Sequence, residues 1–256
     1  MTPEEKSREL KEYYYLIKDC SQCDLAASRT KFVFGSGNAN SKIMFVGEAP
    51  GKNEDLQGKP FVGQAGRILD DLLDLIGYKR TEVFIANVLK CRPPLNRDPE
   101  QEEMYLCKHY LFRQIEIIDP LIICTLGKYS TQLLLDTNEG ITGLRGRVFK
   151  RGSRYILPIN HPAAVLYAPS RFEILKNDFS RIAKVISIIK TGKKDSLINV
   201  EDCSWTISEN NSIEAGKDLK TKEKSIGDDI ENQIDASINK NTVKDDDFDS
   251  EQMGLF

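Results

Sequence analysis

Four cysteines have the spacing of ligands to one metal centre. Cys20 and Cys23 form a C-x2-C pair, 67 residues separate Cys23 from Cys91, and 15 separate Cys91 from Cys107. Thiolates suit zinc or an iron–sulfur cluster. Zinc ribbons usually use two close C-x2-C knuckles, and only the first pair here is close. The wide second pair favours a larger cluster held by a loop and a helix, with zinc and unligated thiols as the alternatives. Cys124 lies in the apolar run Leu121–Leu126 and is expected to be a buried strand residue, while Cys203 has no partner at a useful spacing. The first residues, Met1 to Lys6, are polar and acidic rather than a leader, and no apolar run nears the roughly 18 residues of a membrane span. A cytoplasmic protein without membrane contact is therefore expected, and in a reducing compartment cysteines serve as ligands more readily than as disulfides.

The elements that must position these residues alternate between two periodicities. Short apolar runs at Ile43–Val46, Val83–Val88, Leu121–Leu126 and Tyr155–Ile159 predict strands. Helical spacing predicts helices over 3–19, Gln64–Ile76, Pro99–Ile118, Lys128–Leu135 and Arg171–Lys190, with Pro99 in a first turn and Gly77 as a stop. Strands alternating with helices predict an α/β fold, a three-layer α/β/α sandwich around a mostly parallel four-stranded sheet. In such sheets ligands bind at the carboxyl ends of strands. Three loops leave strand ends here: Gly47-Glu48-Ala49-Pro50-Gly51, Asn87 through Pro94, and His161-Pro162-Ala163.

The chain of 256 residues divides by charge. Residues 1–190 carry 28 Lys/Arg against 23 Asp/Glu, a balance of +5, and residues 191–256 carry 8 against 16, a balance of −8. A basic body fits a nucleic-acid partner. Residues 191–256 are poor in apolar side chains and are expected to form an acidic, mostly disordered tail after a folded domain at 1–190. A short docked stretch around Trp205 and Ile207 is the exception considered.

Three motifs, in order, resemble those of the family 4 uracil-DNA glycosylases. The first is Gly47-Glu48-Ala49-Pro50-Gly51 with Glu54-Asp55 and Gly58-Lys59-Pro60-Phe61-Val62-Gly63-Gln64-Ala65-Gly66. The second is Asn87-Val88-Leu89-Lys90-Cys91-Arg92-Pro93-Pro94 with Asn96-Arg97, and the third is Asn160-His161-Pro162-Ala163-Ala164. The four cysteines match the family's [4Fe–4S] ligands in order and approximate spacing. The resemblance runs from about Cys20 to Ile189 and implies a monofunctional uracil-DNA glycosylase that starts base excision repair on uracil-containing DNA. A non-catalytic DNA-binding module of replication is the alternative.

The resemblance also implies roles. Phe61 would stack on a flipped base. Asn87 would pair with the N3–H and O4 edge of uracil, and His161 would donate to O2. Ala49, where relatives commonly have Gly, would line the base pocket. Of the two loop carboxylates, Glu54 is expected to contact the attacking water and Glu48 to support it. Lys52, Lys59, Arg67, Arg92, Arg97, Arg145 and Arg147 are candidates for phosphate contact. Leu144–Arg147 and residues 163–171 are candidates for a strand-wedging loop, and His109 is expected at the surface. One relative forms covalent links to DNA through an inserted Lys-Arg-Arg-Ile-His loop after the second strand. That insert is absent here, so ordinary turnover by a monomer is expected. The terminal Gln252-Met253-Gly254-Leu255-Phe256 resembles the peptide by which bacterial repair proteins dock on the sliding clamp, through Gln252, Leu255 and Phe256.

Overall fold

A computed structural model describes residues 1–190 and the strand at 200–202. The expectations for the tail, including Trp205, Ile207, Cys203 and the Gln252–Phe256 peptide, lie outside the described residues. In chain order the elements are α1 (Pro3–Ile17), α2 (Leu25–Ser28), β1 (Ser36–Gly37), β2 (Ile43–Gly47), α3 (Lys52–Gln57) and α4 (Gln64–Leu75). Then come β3 (Phe84–Asn87), α5 (Gln101–Ile118), β4 (Ile122–Leu126), α6 (Lys128–Leu135) and α7 (Ile141–Leu144). The last are β5 (Val148–Arg151), β6 (Arg154–Ile159), α8 (Ala164–Tyr167), α9 (Arg171–Lys190) and β7 (Val200–Asp202).

The strands form one sheet in the order β1-β3-β2-β4-β6-β5-β7. The four expected strands are its centre, β3-β2-β4-β6, and each pair within it is parallel. The expected count of four was too low. Two-residue β1 pairs antiparallel with β3, and β5 returns on β6 through the Gly152 turn, with β7 alongside it. Edge strands this short or this polar carry too little apolar periodicity to be read from sequence. Helix α5 begins at Gln101 behind a Glu100–Glu103 capping box, so Pro99 precedes the helix instead of sitting in its first turn.

Alternation along each central strand builds two cores. Met44 and Val46 face one core with α1, α5 and α6, while Ile43 and Phe45 face the other with α4 and α9. Phe84 and Ala86 part from Val83 and Ile85 in the same way. This is why the strands read as continuous apolar runs: parallel strands covered on both faces have no solvent side. Phe45 stacks on Phe179 of α9 with centroids 5.7 Å apart, and Cys124 is buried in β4 as expected. No helix among the described residues is long and apolar enough to cross a membrane.

The neighbouring strands β2 and β4 send their chains to opposite faces, towards α4 and α6 respectively. A crevice opens where such connections part, at the carboxyl ends of the strands.

Candidate active site and cysteine pocket

The crevice is built around a missing side chain. Gly47 ends β2 in register with Asn87 at the end of β3. A Cβ on Gly47 would lie 2.3 Å from Asn87 Oδ1 and 2.7 Å from the Phe61 ring, so only glycine lets these two side chains converge. Asn87 is 2% exposed, and its Oδ1 accepts no hydrogen bond among the described residues. Leaving a buried acceptor unsatisfied costs about 1–3 kcal/mol. An N–H or O–H donor from a ligand or a water would satisfy it.

Phe61 occupies left-handed backbone at φ 53, a conformation unfavourable to a bulky side chain. Three contacts hold it there. Glu54 Oε1 accepts from the Val62 and Gly63 amides, each at 2.9 Å. Arg80 Nη2 donates to the carbonyls of Pro60 at 3.1 Å and Phe61 at 2.6 Å, while its Nε pairs with Asp70 Oδ1 at 3.1 Å. Gly66 lies directly under the same turn, where a Cβ would come within 1.8 Å of the Phe61 oxygen.

His161 follows β6 and meets Phe61 with ring centroids 5.4 Å apart and planes at 27°. Gly127, at φ +95, makes room beside it: a Cβ there would be 3.2 Å from His161 Cβ. Burial lowers the imidazole to about 4 despite the opposing charge of Glu54. The ring is therefore neutral at pH 7. Its Nδ1 accepts from the Ala163 amide at 3.1 Å, which leaves the proton on Nε2 as a donor.

The two loop carboxylates sit in different surroundings. Glu54 spends Oε1 on the loop amides. Burial, reinforced by Asp98 and opposed by Lys128, raises Glu48 to about 7. Ala49 is half-buried beside Glu48 and packs against the first core.

On the other side of β3, Cys20, Cys23, Cys91 and Cys107 line one pocket with Leu25, Phe32, Leu89 and Leu106. Among the described residues, no three His, Cys, Asp or Glu side chains gather as a ready site for a metal ion. Tyr110 donates to Cys20 Sγ at 3.1 Å and Arg29 Nη1 to Cys91 Sγ at 3.5 Å. Burial pushes the Cys91 thiol up to about 11 and the Cys107 thiol to about 12. Thiols held this high are poor nucleophiles at neutral pH.

Residues 34–186 match the family model of the uracil DNA glycosylase superfamily. The chain belongs to that superfamily. A type-4 uracil-DNA glycosylase of Sulfurisphaera tokodaii is 42% identical over 210 residues, 78% of this chain and 96% of the relative. Those of Archaeoglobus fulgidus and Saccharolobus solfataricus are each 44% identical, over 66% and 67% of this chain and 89% and 83% of their own lengths. Within the uracil DNA glycosylase superfamily the chain thus sits with type-4 members.

For a uracil DNA glycosylase superfamily member, several residues that matter here were invisible to motif reading. Arg80 lies outside the motifs and is identified only by where its guanidinium ends. Lys90 is fully buried, and its ammonium donates to the Phe34 and Asn87 carbonyls at 3.2 and 2.9 Å and to Gln114 Oε1 at 2.6 Å. It lines the cysteine pocket while holding the backbone of Asn87. Some expected phosphate contacts are already engaged: Arg97 is bidentate to Glu103, and Arg145 pairs with Asp178 at 2.8 Å. Leu144 is buried, so the 144–147 segment offers no apolar wedge. His109 is half-buried with its ring 4.0 Å from that of Tyr110, not free at the surface.

Arg80→Ala is expected to cost about 1–3 kcal/mol of unfolding free energy and to accelerate hydrogen exchange at the Val62 and Gly63 amides. Unchanged exchange there would show that Glu54 and Gly66 hold the Phe61 turn without Arg80.

Proposed function

We propose that this protein is a monofunctional uracil-DNA glycosylase that hydrolyses the bond between uracil and deoxyribose to start base excision repair. The observation that carries this reading is the buried, unsatisfied Asn87 Oδ1 between Phe61 and the strand ends. Its acceptor suits the N3–H of uracil, and the amide NH2 of the same side chain suits O4. Cytosine presents an unprotonated N3 and an amino group instead, so it mismatches at both positions.

A nucleotide must leave the duplex to reach this crevice. The Phe61 face supports the flipped ring. As the glycosidic bond breaks, negative charge gathers on uracil and positive charge on the sugar. The neutral His161 donates through Nε2–H towards O2, where the charge develops, without giving up a full proton. Glu48 is the carboxylate that orients the water, and Glu54 holds the turn that carries Phe61. Lys90, committed to three acceptors in the interior, is no Schiff-base nucleophile, in keeping with base release without strand cleavage. Ala49 lines the approach to the base.

Cys20, Cys23, Cys91 and Cys107 are the ligands we infer for a [4Fe–4S] cluster. The donor set is four thiols in one apolar pocket, with Arg29 and Lys90 at its wall to offset thiolate charge. When bound, such a cluster supplies a cross-link among the segment after α1, the end of the β3 loop and α5. Residues 1–190 form the catalytic domain in this reading, β7 adds a strand to its sheet, and the acidic segment 191–256 carries Gln252, Leu255 and Phe256, which fit a sliding-clamp pocket. Cysteine use fits a cytoplasmic setting.

The reading is tested with a labelled oligonucleotide containing one uracil. Alkali-labile product, with no cleavage before alkali, is expected, and Asn87→Ala and His161→Ala should each lower the rate by about 100-fold or more. Absence of product from protein with its cluster intact would favour the non-catalytic module. If Glu48 acts as its carboxylate, the rate falls as pH drops through about 7, and Glu48→Gln removes that limb. A limb that survives the substitution assigns the titration elsewhere. Anaerobically purified protein should show broad absorbance near about 400 nm that Cys107→Ala removes. Stoichiometric zinc in place of iron would overturn the cluster assignment.

A further inference from the structure

One hydrogen bond spans the end of β2. The sheet order β3-β2-β4 puts that end, and the Glu48 that follows it, between the loops that leave β3 and β4. Tyr129, in the first turn of α6 after β4, donates to Oδ2 of Asp98 at 2.5 Å, and Asp98 belongs to the loop that leaves β3. The bond therefore joins the two segments that flank Glu48. Glu48 itself is half-buried, and its carbonyl accepts from the Leu89 amide at 2.9 Å, which ties it to the same β3 loop.

Both partners are fixed by their own neighbours. Arg97 Nη1 donates to the Asp98 carbonyl at 3.0 Å, and the same guanidinium forks onto Glu103 of α5. Pro99 is buried and confines the residue before it to extended backbone. On the other side, Thr131 Oγ1 donates to the Gly127 carbonyl at 2.7 Å and meets Thr125 Oγ1 of β4 at 2.7 Å, so the start of α6 is anchored to the sheet. The bond to Asp98 pushes the Tyr129 phenol up to about 12, so its hydroxyl stays a donor at neutral pH.

A staple between loop and helix could use any acceptor, whereas a carboxylate also brings a charge towards Glu48. Burial is the largest influence on Glu48; Asp98 from the β3 loop adds to it by opposing ionisation, and Lys128 of α6 counters both. Glu48 acts in turn on Tyr129, whose ring lies 4.9 Å from the Lys128 ammonium. Glu54 of α3 bears on His161. A carboxylate that ionises near the operating pH is a stronger base than an ordinary one while still present in its reactive form.

We propose that Asp98 is a positioning residue for Glu48 in water activation, held across the end of β2 by Tyr129. The proposal rests on the glycosylase reading above and adds two residues to it. As the water oxygen bonds to C1′, uracil leaves with the electrons of the broken N1–C1′ bond and one water proton passes to Glu48. Asp98 makes Glu48 the stronger base for that proton, and Tyr129 keeps Asp98 from swinging into solvent.

The test titrates Glu48 in the full chain, cluster loaded, by isotope-edited NMR of its carboxyl carbon, assigned by its loss in Glu48→Gln. Single-turnover pH–rate profiles on a uracil oligonucleotide run beside it. Asp98→Asn keeps an acceptor for Tyr129 and removes only the charge. The Glu48 midpoint should then fall by about half a pH unit or more, and the rate near about pH 6, relative to its plateau, should rise about twofold or more. Lys128→Gln should move the midpoint the opposite way. Tyr129→Phe keeps the charge and removes the tether, and should lower the midpoint by less than Asp98→Asn does. An unmoved midpoint in Asp98→Asn would overturn the proposal, as would a rate profile that stays in place while the midpoint moves. An unmoved midpoint in Tyr129→Phe would overturn the tether. The titration needs no base release, so a midpoint that falls in protein releasing no uracil would support the hold of Asp98 on Glu48 and sink the glycosylase reading alone.

Discussion

The close approach of β2 and β3 at Gly47 is the constraint on which the crevice depends. With no Cβ in the way, Asn87 and Phe61 meet over bare backbone, and the arrangement is unfavourable by itself. Among the described residues, the Asn87 amide oxygen has no partner and Phe61 is left-handed. Neighbouring contacts must offset both terms, and they do so from different parts of the chain: Glu54 from the preceding helix, Gly66 from the following one, and Arg80 from beyond α4. The result is a site whose shape is set before any ligand arrives, the condition under which hydrogen-bond donors and acceptors act on a developing charge without reorganisation.

Lys90 extends that logic to the cysteine pocket. A fully buried ammonium is costly unless its hydrogen bonds are met, and three acceptors meet them here. Because one acceptor is the Asn87 carbonyl and the same side chain lines the thiol pocket, the base-reading residue and the ligand pocket share a buried support. The pocket lies next to the crevice because Cys91 is only four positions beyond Asn87 on the same loop.

Much of the scaffold was legible from residue patterns. The four central strands are short apolar runs because both faces of a parallel sheet are covered. The edge strands were not legible: Ser36–Gly37 is too brief, and Val148–Arg151 mixes Lys and Arg with its apolar residues. Hydrogen bonding commits Glu54 Oε1 to the Phe61 turn, and Arg97 and Arg145, candidates for phosphate contact, are ion-paired to Glu103 and Asp178. Neither arrangement leaves a local signal, since a charged side chain has the same sequence context whether it faces solvent or a partner many residues away.

The types and order of the chemically capable residues were determined by sequence alone: four thiols, an amide at one strand end, an imidazole at another and a Pro-Phe turn between glycines. Periodicity added that the strands are parallel and that their loops converge. Tertiary structure decided which of these groups are available to act. It left Asn87 Oδ1 without a partner among the described residues, fixed the proton of His161 on Nε2, raised Glu48 to about 7 and committed Glu54 Oε1 to two amides. Protonation and hydrogen-bond capacity depend on burial and on contacts from distant segments, and those exist only once the chain has folded.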